Sequence, residues 1–271
     1  MKLCRFQPLE LSSALSSRTP VEVHPPARAG VIEEAIVYEL RGGIVDEPVR
    51  TGRSWPLDSV RLLPPSAPSK IVCVGRNYRE HAAELGNVVP KEPLIFLKPP
   101  SSILAPGEPI ILPAVSQRVD FEGELGVILS RCCSHLSPDE PTQPYILGYA
   151  CLNDVTARDL QKLDVQFTRA KGFDTFCPFG PVLETALPES GVTVETFVNG
   201  SRKQSGHTSE MIFSVDAIIR WISQVMTLEP GDVIATGTPS GVGPLAAGDV
   251  VEIRISGIGA LSNPVVASGA A

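Results

Sequence analysis

The chain has 271 residues, enough to bury a sizeable core in one large domain or in a medium domain with a small attachment. Its net charge of −7, with basic residues scattered rather than clustered, argues against nucleic acid or an anionic membrane as principal partner. Six cysteines without a C-x-x-C pair or zinc-ligand spacing, a start (MKLCRFQPLELSS) lacking the apolar stretch of a signal peptide, and no run of 18 apolar residues lead us to expect a soluble cytoplasmic protein with reduced thiols.

Twenty-six prolines and 23 glycines suit many short strands joined by turns. Strand-like runs occur at Ile36–Leu40, then at Ile71–Val74, Leu94–Leu97, Phe121–Leu129, Tyr145–Leu152, Val192–Val198, Asp232–Thr236 and Val250–Ile255. Their irregular spacing fits a rolled or sandwiched sheet better than a βαβ alternation, so the expected class is mainly β within α+β. Helices are expected over Tyr78–Leu85, Ala157–Lys162 and Ser214–Met226, the last carrying an apolar stripe of Ile218, Ile219, Ile222, Val225 and Met226. The proline-rich break "LLPPSAPSK" (Leu62–Lys70) divides a weakly patterned N-terminal segment, 1–65, from a strongly patterned remainder, 66–271.

Four stretches carry residues suited to chemistry. In "GRNYREHAAEL" (Gly75–Leu85), His81 and Glu84 lie three apart on one helical face, compatible with an acid/base dyad or with an incidental surface contact. In "FEGELGVIL" (Phe121–Leu129), period-2 geometry puts Glu122 and Glu124 on one face and Phe121, Gly123 and Leu125 on the other. Two like charges at that spacing need water or a cation. "GYACLNDVTARDLQ" (Gly148–Gln161) reads as a buried strand ending at Asp154, then a helix whose first turn is marked by Thr156. Glu122, Glu124 and Asp154 would form an all-oxygen trio suited to Mg²⁺ or Mn²⁺. "EPGDVIATGTPSGVG" (Glu229–Gly243) is a strand and Gly-rich turn whose amides and Thr238 hydroxyl could hold a carboxylate; no Lys follows the glycines, so it is not a P-loop. Lys98, at a strand end before two prolines, and Lys171, in a Gly- and Pro-punctuated loop, read better as surface charge when each is taken singly.

Together, the segments G-R-N-Y-x-x-H-x-x-E (75–84), F-L-K-P-x-S (96–101), D-F-E-G-E-L (120–125), N-D-V-T-A-R-D-L-Q (153–161), A-K-G-F-D (170–174) and T-G-T-P-x-G-V-G (236–243) resemble the fumarylacetoacetate hydrolase family in residue type and order. The N-terminal 65 residues look like the small extra domain of bacterial members labelled isomerases of 2-hydroxyhepta-2,4-diene-1,7-dioate or related muconates. The resemblance implies a mixed β-sandwich roll with a small β-rich N-terminal domain, and a homodimer. It implies Mg²⁺ or Mn²⁺ on Glu122, Glu124 and Asp154, a catalytic dyad of His81 and Glu84 on a lid, and substrate contacts from Arg158, Gln161, Lys171 and Thr238. Lys98 would steady the ligand carboxylates from behind.

The substrate expected on this basis is a short 2-oxo acid, 2,4-dioxo or dicarboxylic, reacting through a metal-bound enolate. Hydrolysis of an acylpyruvate or fumarylpyruvate type of C–C bond, with Lys171 at the developing oxyanion, is placed slightly ahead of isomerisation, tautomerisation or decarboxylation. A rival of another class is a non-catalytic metabolite-binding protein that keeps the fold and metal site.

Overall fold

The fold is described from a computed structural model, covering residues 1–9, 26–84, 86 and 88–269. One twisted sheet runs through the molecule, in the order Arg50–Pro56, Ile36–Leu40, Arg28–Glu33, Lys2–Pro8, Cys177–Glu184, Ile146–Asn153, Gly123–Leu129, Val233–Ala235, Ile71–Gly75 and Leu94–Lys98. Val60–Leu63 and Ile103–Leu104 attach beside it. A five-stranded sheet, Ser201–His207, Thr193–Val198, Val250–Ile255, Gly259–Ala267 and Ile110–Leu112, lies apart, as does a three-stranded one containing Val119–Phe121. The mainly β class is therefore as expected. The N-terminal strands extend the large sheet itself, Lys2 and Leu3 pairing with Glu184 and Leu183.

Pleating divides the central strand Gly123–Leu129 between two cores. Leu125, Val127 and Leu129 join Phe121, Val194, Ile253 and the Val215–Val225 helix in the larger apolar cluster, while Ile128 packs with Ile71, Cys73, Leu152 and Phe179 on the opposite face. Since successive strand side chains alternate, Glu124 shares the Ile128 face and Gly123 the Leu125 face. Gly123 is needed there, because a Cβ would stand 2.1 Å from Thr196 Oγ1 and 3.0 Å from Ile253 Cδ1.

Two local expectations change. Ala157, not Thr156, is the N-cap of the Arg158–Leu163 helix, and Thr156 pairs with Asp120 in the small sheet while its hydroxyl donates to the Asp154 carbonyl. Burial between strands thus overrides a local capping preference. The helix over Val215–Val225 starts at Ser214, whose Oγ accepts from the Ala217 N–H, and buries Ile218, Ile219 and Ile222. Val225 is 57% exposed, because the helix stops there and the chain turns Met226 onto the core instead.

Candidate functional site

The strand break between Phe121 and Gly123 is what frees Glu122. Its N–H donates to the Asn153 side-chain oxygen at 2.9 Å, and its carbonyl accepts from the Asp154 N–H at 2.9 Å. That pair of bonds clamps the E-G-E turn against the end of the Ile146–Asn153 strand. Glu122, Glu124 and Asp154 consequently present oxygens that all lie within 4.8 Å of one another, each side chain buried.

Three cations converge on this acidic cluster. Lys171 Nζ, at the end of the Thr168–Lys171 turn, donates to Glu122 at 2.6 Å and to Asp154 at 2.5 Å. Lys98, itself 1% exposed, donates to the other Asp154 oxygen at 2.7 Å and to the Val155 carbonyl at 3.2 Å. Arg158 donates to Glu122, to Asp120 at 2.9 Å and to Gln161 at 2.9 Å. Asp120 takes two further bonds from Arg118.

Glu124 stands apart from this pairing. Among the described residues, its carboxylate accepts only the Gly237 N–H, at 2.7 Å. Burial above all, then the charges of Asp154 and Glu122, push its carboxyl well above the ordinary range. For Glu122 burial acts in the same upward sense, but Arg158 and Lys171 outweigh it and hold the carboxyl far below that range. Lys171 behaves correspondingly: burial would lower its ammonium, and Asp154 and Glu122 raise it instead. The cluster therefore has one carboxylate without a counter-charge, facing two others across a few ångströms. All-oxygen donors with one unneutralised charge fit a hard divalent ion such as Mg²⁺ or Mn²⁺.

His81 approaches the same cleft, which has a cavity volume of about 60 Å³. It comes from the helix Arg79–Glu84 and is 4% exposed. Its Nδ1 lies 3.6 Å from Glu84 Oε2, beyond hydrogen-bond length, and has no hydrogen-bond partner among the described residues. Burial, the largest influence, pushes its imidazole below the ordinary 6.5, so the ring is neutral at neutral pH. Glu84 is held in place by the Gly241 N–H at 3.1 Å, and Glu80 accepts from Ser240 at 3.2 Å. Gln161 lines the cleft beside Arg158, its oxygen engaged by that guanidinium. Thr238 also lines it, but its hydroxyl already donates to the Gly123 carbonyl at 2.9 Å and accepts from Gln204 at 2.8 Å.

Of the residues singled out in the sequence, His81, Glu122, Glu124, Asp154, Arg158, Gln161, Lys171 and Thr238 line the cleft, Lys98 lies behind Asp154, and Glu84 stands outside the lining, beside His81 and on the Gly241 N–H. Gln204 was not anticipated: its oxygen accepts from the Gly123 N–H at 3.0 Å and from Thr196 at 2.6 Å, pinning the backbone between the two glutamates. It sits in a polar strand without any motif. Asn77 was also missed; its side chain ties the start of the His81 helix to the Thr236 and Phe213 backbones. Asp120 stood inside a quoted motif but drew no assignment.

Fold and site together define a β-rich protein with a buried acidic centre suited to a divalent ion. The chain belongs to the fumarylacetoacetate hydrolase family: residues 70–266 match the "Fumarylacetoacetate (FAA) hydrolase C-terminal" family, and residues 22–65 match "Rv2993c-like, N-terminal". It is 53% identical to Protein Rv2993c of Mycobacterium tuberculosis over 225 residues, covering 82% of this chain and 84% of that protein. It is 42% identical to the oxaloacetate tautomerase YisK of Bacillus subtilis over 226 residues, covering 78% and 75%. The crystal structure of a 5-carboxymethyl-2-hydroxymuconate delta-isomerase from Mycobacterium smegmatis superposes with a TM-score of 0.87 at 43% identity, over 99% of this chain and all of that one. Among the described residues, no helix is long and apolar enough to cross a membrane.

Proposed function

We propose that this protein is a divalent-metal-dependent enzyme that moves a proton on short dicarboxylic 2-oxo acids, interconverting keto and enol forms or double-bond isomers. The observation that carries this reading is the unneutralised Glu124, set with Glu122 and Asp154 in the same cleft as a buried neutral histidine. Mg²⁺ or Mn²⁺ held by those three carboxylates would bind the 2-oxo and carboxylate oxygens of the substrate and acidify its C3–H.

The remaining groups have roles that follow from their positions. Neutral His81 accepts the C3 proton and delivers it to the enolate oxygen, or to the far carbon of a conjugated dienolate, and Glu84 orients and charge-stabilises the ring once the 3.6 Å separation tightens around substrate. Gln161, its oxygen committed to Arg158, offers its amide N–H groups to a substrate carboxylate. Lys171 and Lys98 hold the carboxylates of Glu122 and Asp154 fixed in direction. Thr238 sets the position of the Gly123 carbonyl and has one lone pair left for a donor.

The names of the tautomerase and delta-isomerase relatives support proton transfer ahead of hydrolysis, the order opposite to that expected from the sequence. Hydrolysis is the second reading, favoured by the same buried neutral His81, which would equally deprotonate a water aimed at a C4 carbonyl. The test is a panel of 2-oxo acids with Mg²⁺ or Mn²⁺, followed by enol absorbance and by mass spectrometry of products. Loss of the oxaloacetate enol signal without new products supports the tautomerase; cleavage of acylpyruvates replaces it by the hydrolase. No turnover of any member refutes both and leaves a metabolite-binding protein.

A further inference from the structure

We infer that Arg76 is the residue that binds the distal carboxylate of the substrate, and hence that the cleft selects dicarboxylic over monocarboxylic 2-oxo acids; this rests on the 2-oxo acid reading above. Three positively charged side chains line the cleft: Arg76, Arg158 and Lys171. Arg158 and Lys171 are committed to Asp120, Glu122 and Asp154. Arg76 alone makes no hydrogen bond or ion pair among the described residues, although it is only partly exposed. A guanidinium partly withdrawn from water, with no anion beside it, is matched by an anion that the ligand brings.

The backbone holds Arg76 where it is. Its φ is +59°, a left-handed conformation that non-glycine residues adopt infrequently. Both neighbours are fixed: Gly75 pairs with Leu94, and the Asn77 side chain bonds the Thr236 and Phe213 backbones. Strained positions of this kind persist where surrounding contacts over-determine them, and they cluster at ligand sites. The wall beside Arg76 is apolar, formed by Leu94, Phe96 and Phe167, with the two rings edge to face at 5.5 Å. Leu94, Phe96 and Phe167 carry no side-chain donor, so a second carboxylate lying against that wall is met by Arg76. The planar guanidinium fork grips such a group with two parallel bonds, as an ammonium does not.

The experiment compares two ligands that differ only at the far end, oxaloacetate and 2-oxobutanoate, whose methyl replaces the distal carboxylate. Their affinities for the Mg²⁺-loaded protein are measured by calorimetry with fresh solutions. Wild type should bind oxaloacetate at least about 10-fold more tightly, the scale of a charge-assisted hydrogen bond. Arg76→Asn, which tolerates the left-handed backbone, should remove most of that preference and leave 2-oxobutanoate unchanged; Arg76→Lys should fall between. Arg76→Gly, free of strain at that φ, is the neutral variant to use if Arg76→Asn does not fold. Equal weakening of both ligands, or no weakening of oxaloacetate, overturns the assignment of Arg76 while the 2-oxo acid reading survives. If wild type binds neither ligand, the 2-oxo acid reading fails and the assignment falls with it.

Discussion

Glu124→Gln should make the metal-free protein more stable while abolishing its response to Mg²⁺. Glu124 is buried, its only donor among the described residues is the Gly237 N–H, and Asp154 and Glu122 repel it. Glutamine keeps an acceptor for that N–H and turns an amide donor toward the remaining carboxylates. Removing a group that must either stay charged without a partner or take up a proton on folding is worth about 1–3 kcal/mol, or ~2–4 °C of Tm per kcal/mol in a chain of this size. Wild type at 100 times its Mg²⁺ dissociation constant should gain ~2.7 kcal/mol, which the variant should largely forgo. The sign of the pH dependence follows. A carboxyl raised above its unfolded value holds a proton in the folded state that the unfolded chain has released. Metal-free wild type should therefore lose stability as pH rises above the ordinary carboxyl value of 4.5 toward the raised one, with Glu124→Gln flatter over the same window. Mg²⁺ affinity should rise with pH in that window, because the ion binds the ionised form. Thermal melts after chelation, with and without Mg²⁺ and across pH, test all of this. A Tm for metal-free Glu124→Gln several degrees below wild type, or equal Mg²⁺ shifts in the two proteins, refutes the reasoning.

Three further outcomes are expected. Gly123→Ala drives a methyl into Thr196 and Ile253 and displaces Gln204, so urea unfolding should show a loss of about 1–3 kcal/mol together with weaker Mg²⁺ binding; an unchanged midpoint contradicts this. Lys98→Met strips Asp154 of one of its two ammonium partners deep in the core and should cost about 3 kcal/mol by denaturant titration; a loss below ~1 kcal/mol would mean that water replaces the lysine. His81→Asn should lower turnover by roughly 10²-fold while leaving the Mg²⁺-induced Tm shift intact. Because burial holds the imidazole below 6.5, the acid limb of kcat/KM in wild type should lie below pH 6.5. A limb above that value would point to a different base.

The sequence by itself determined what depends on short-range geometry. Strand alternation placed Glu122 and Glu124 opposite Phe121, Gly123 and Leu125, helical spacing put His81 and Glu84 on one face, and the order of the motifs pointed to the family. Local rules failed where a neighbour from elsewhere took over: Thr156 was drawn from a cap into a strand pair with Asp120, and Val225 was left uncovered at a helix end. The tertiary structure alone decided which charge meets which. Lys171 and Lys98 share Asp154, Arg158 is divided between Asp120 and Glu122, and among the described residues Glu124 has no ion-pair partner and Arg76 no anion. Gln204 reaches the Gly123 N–H across 81 residues of chain, and Asn77 reaches Thr236 across 159. The reason is that pairing of buried charges and amides is set by sheet order and register. Those are properties of strands distant in sequence, and no local spacing encodes them.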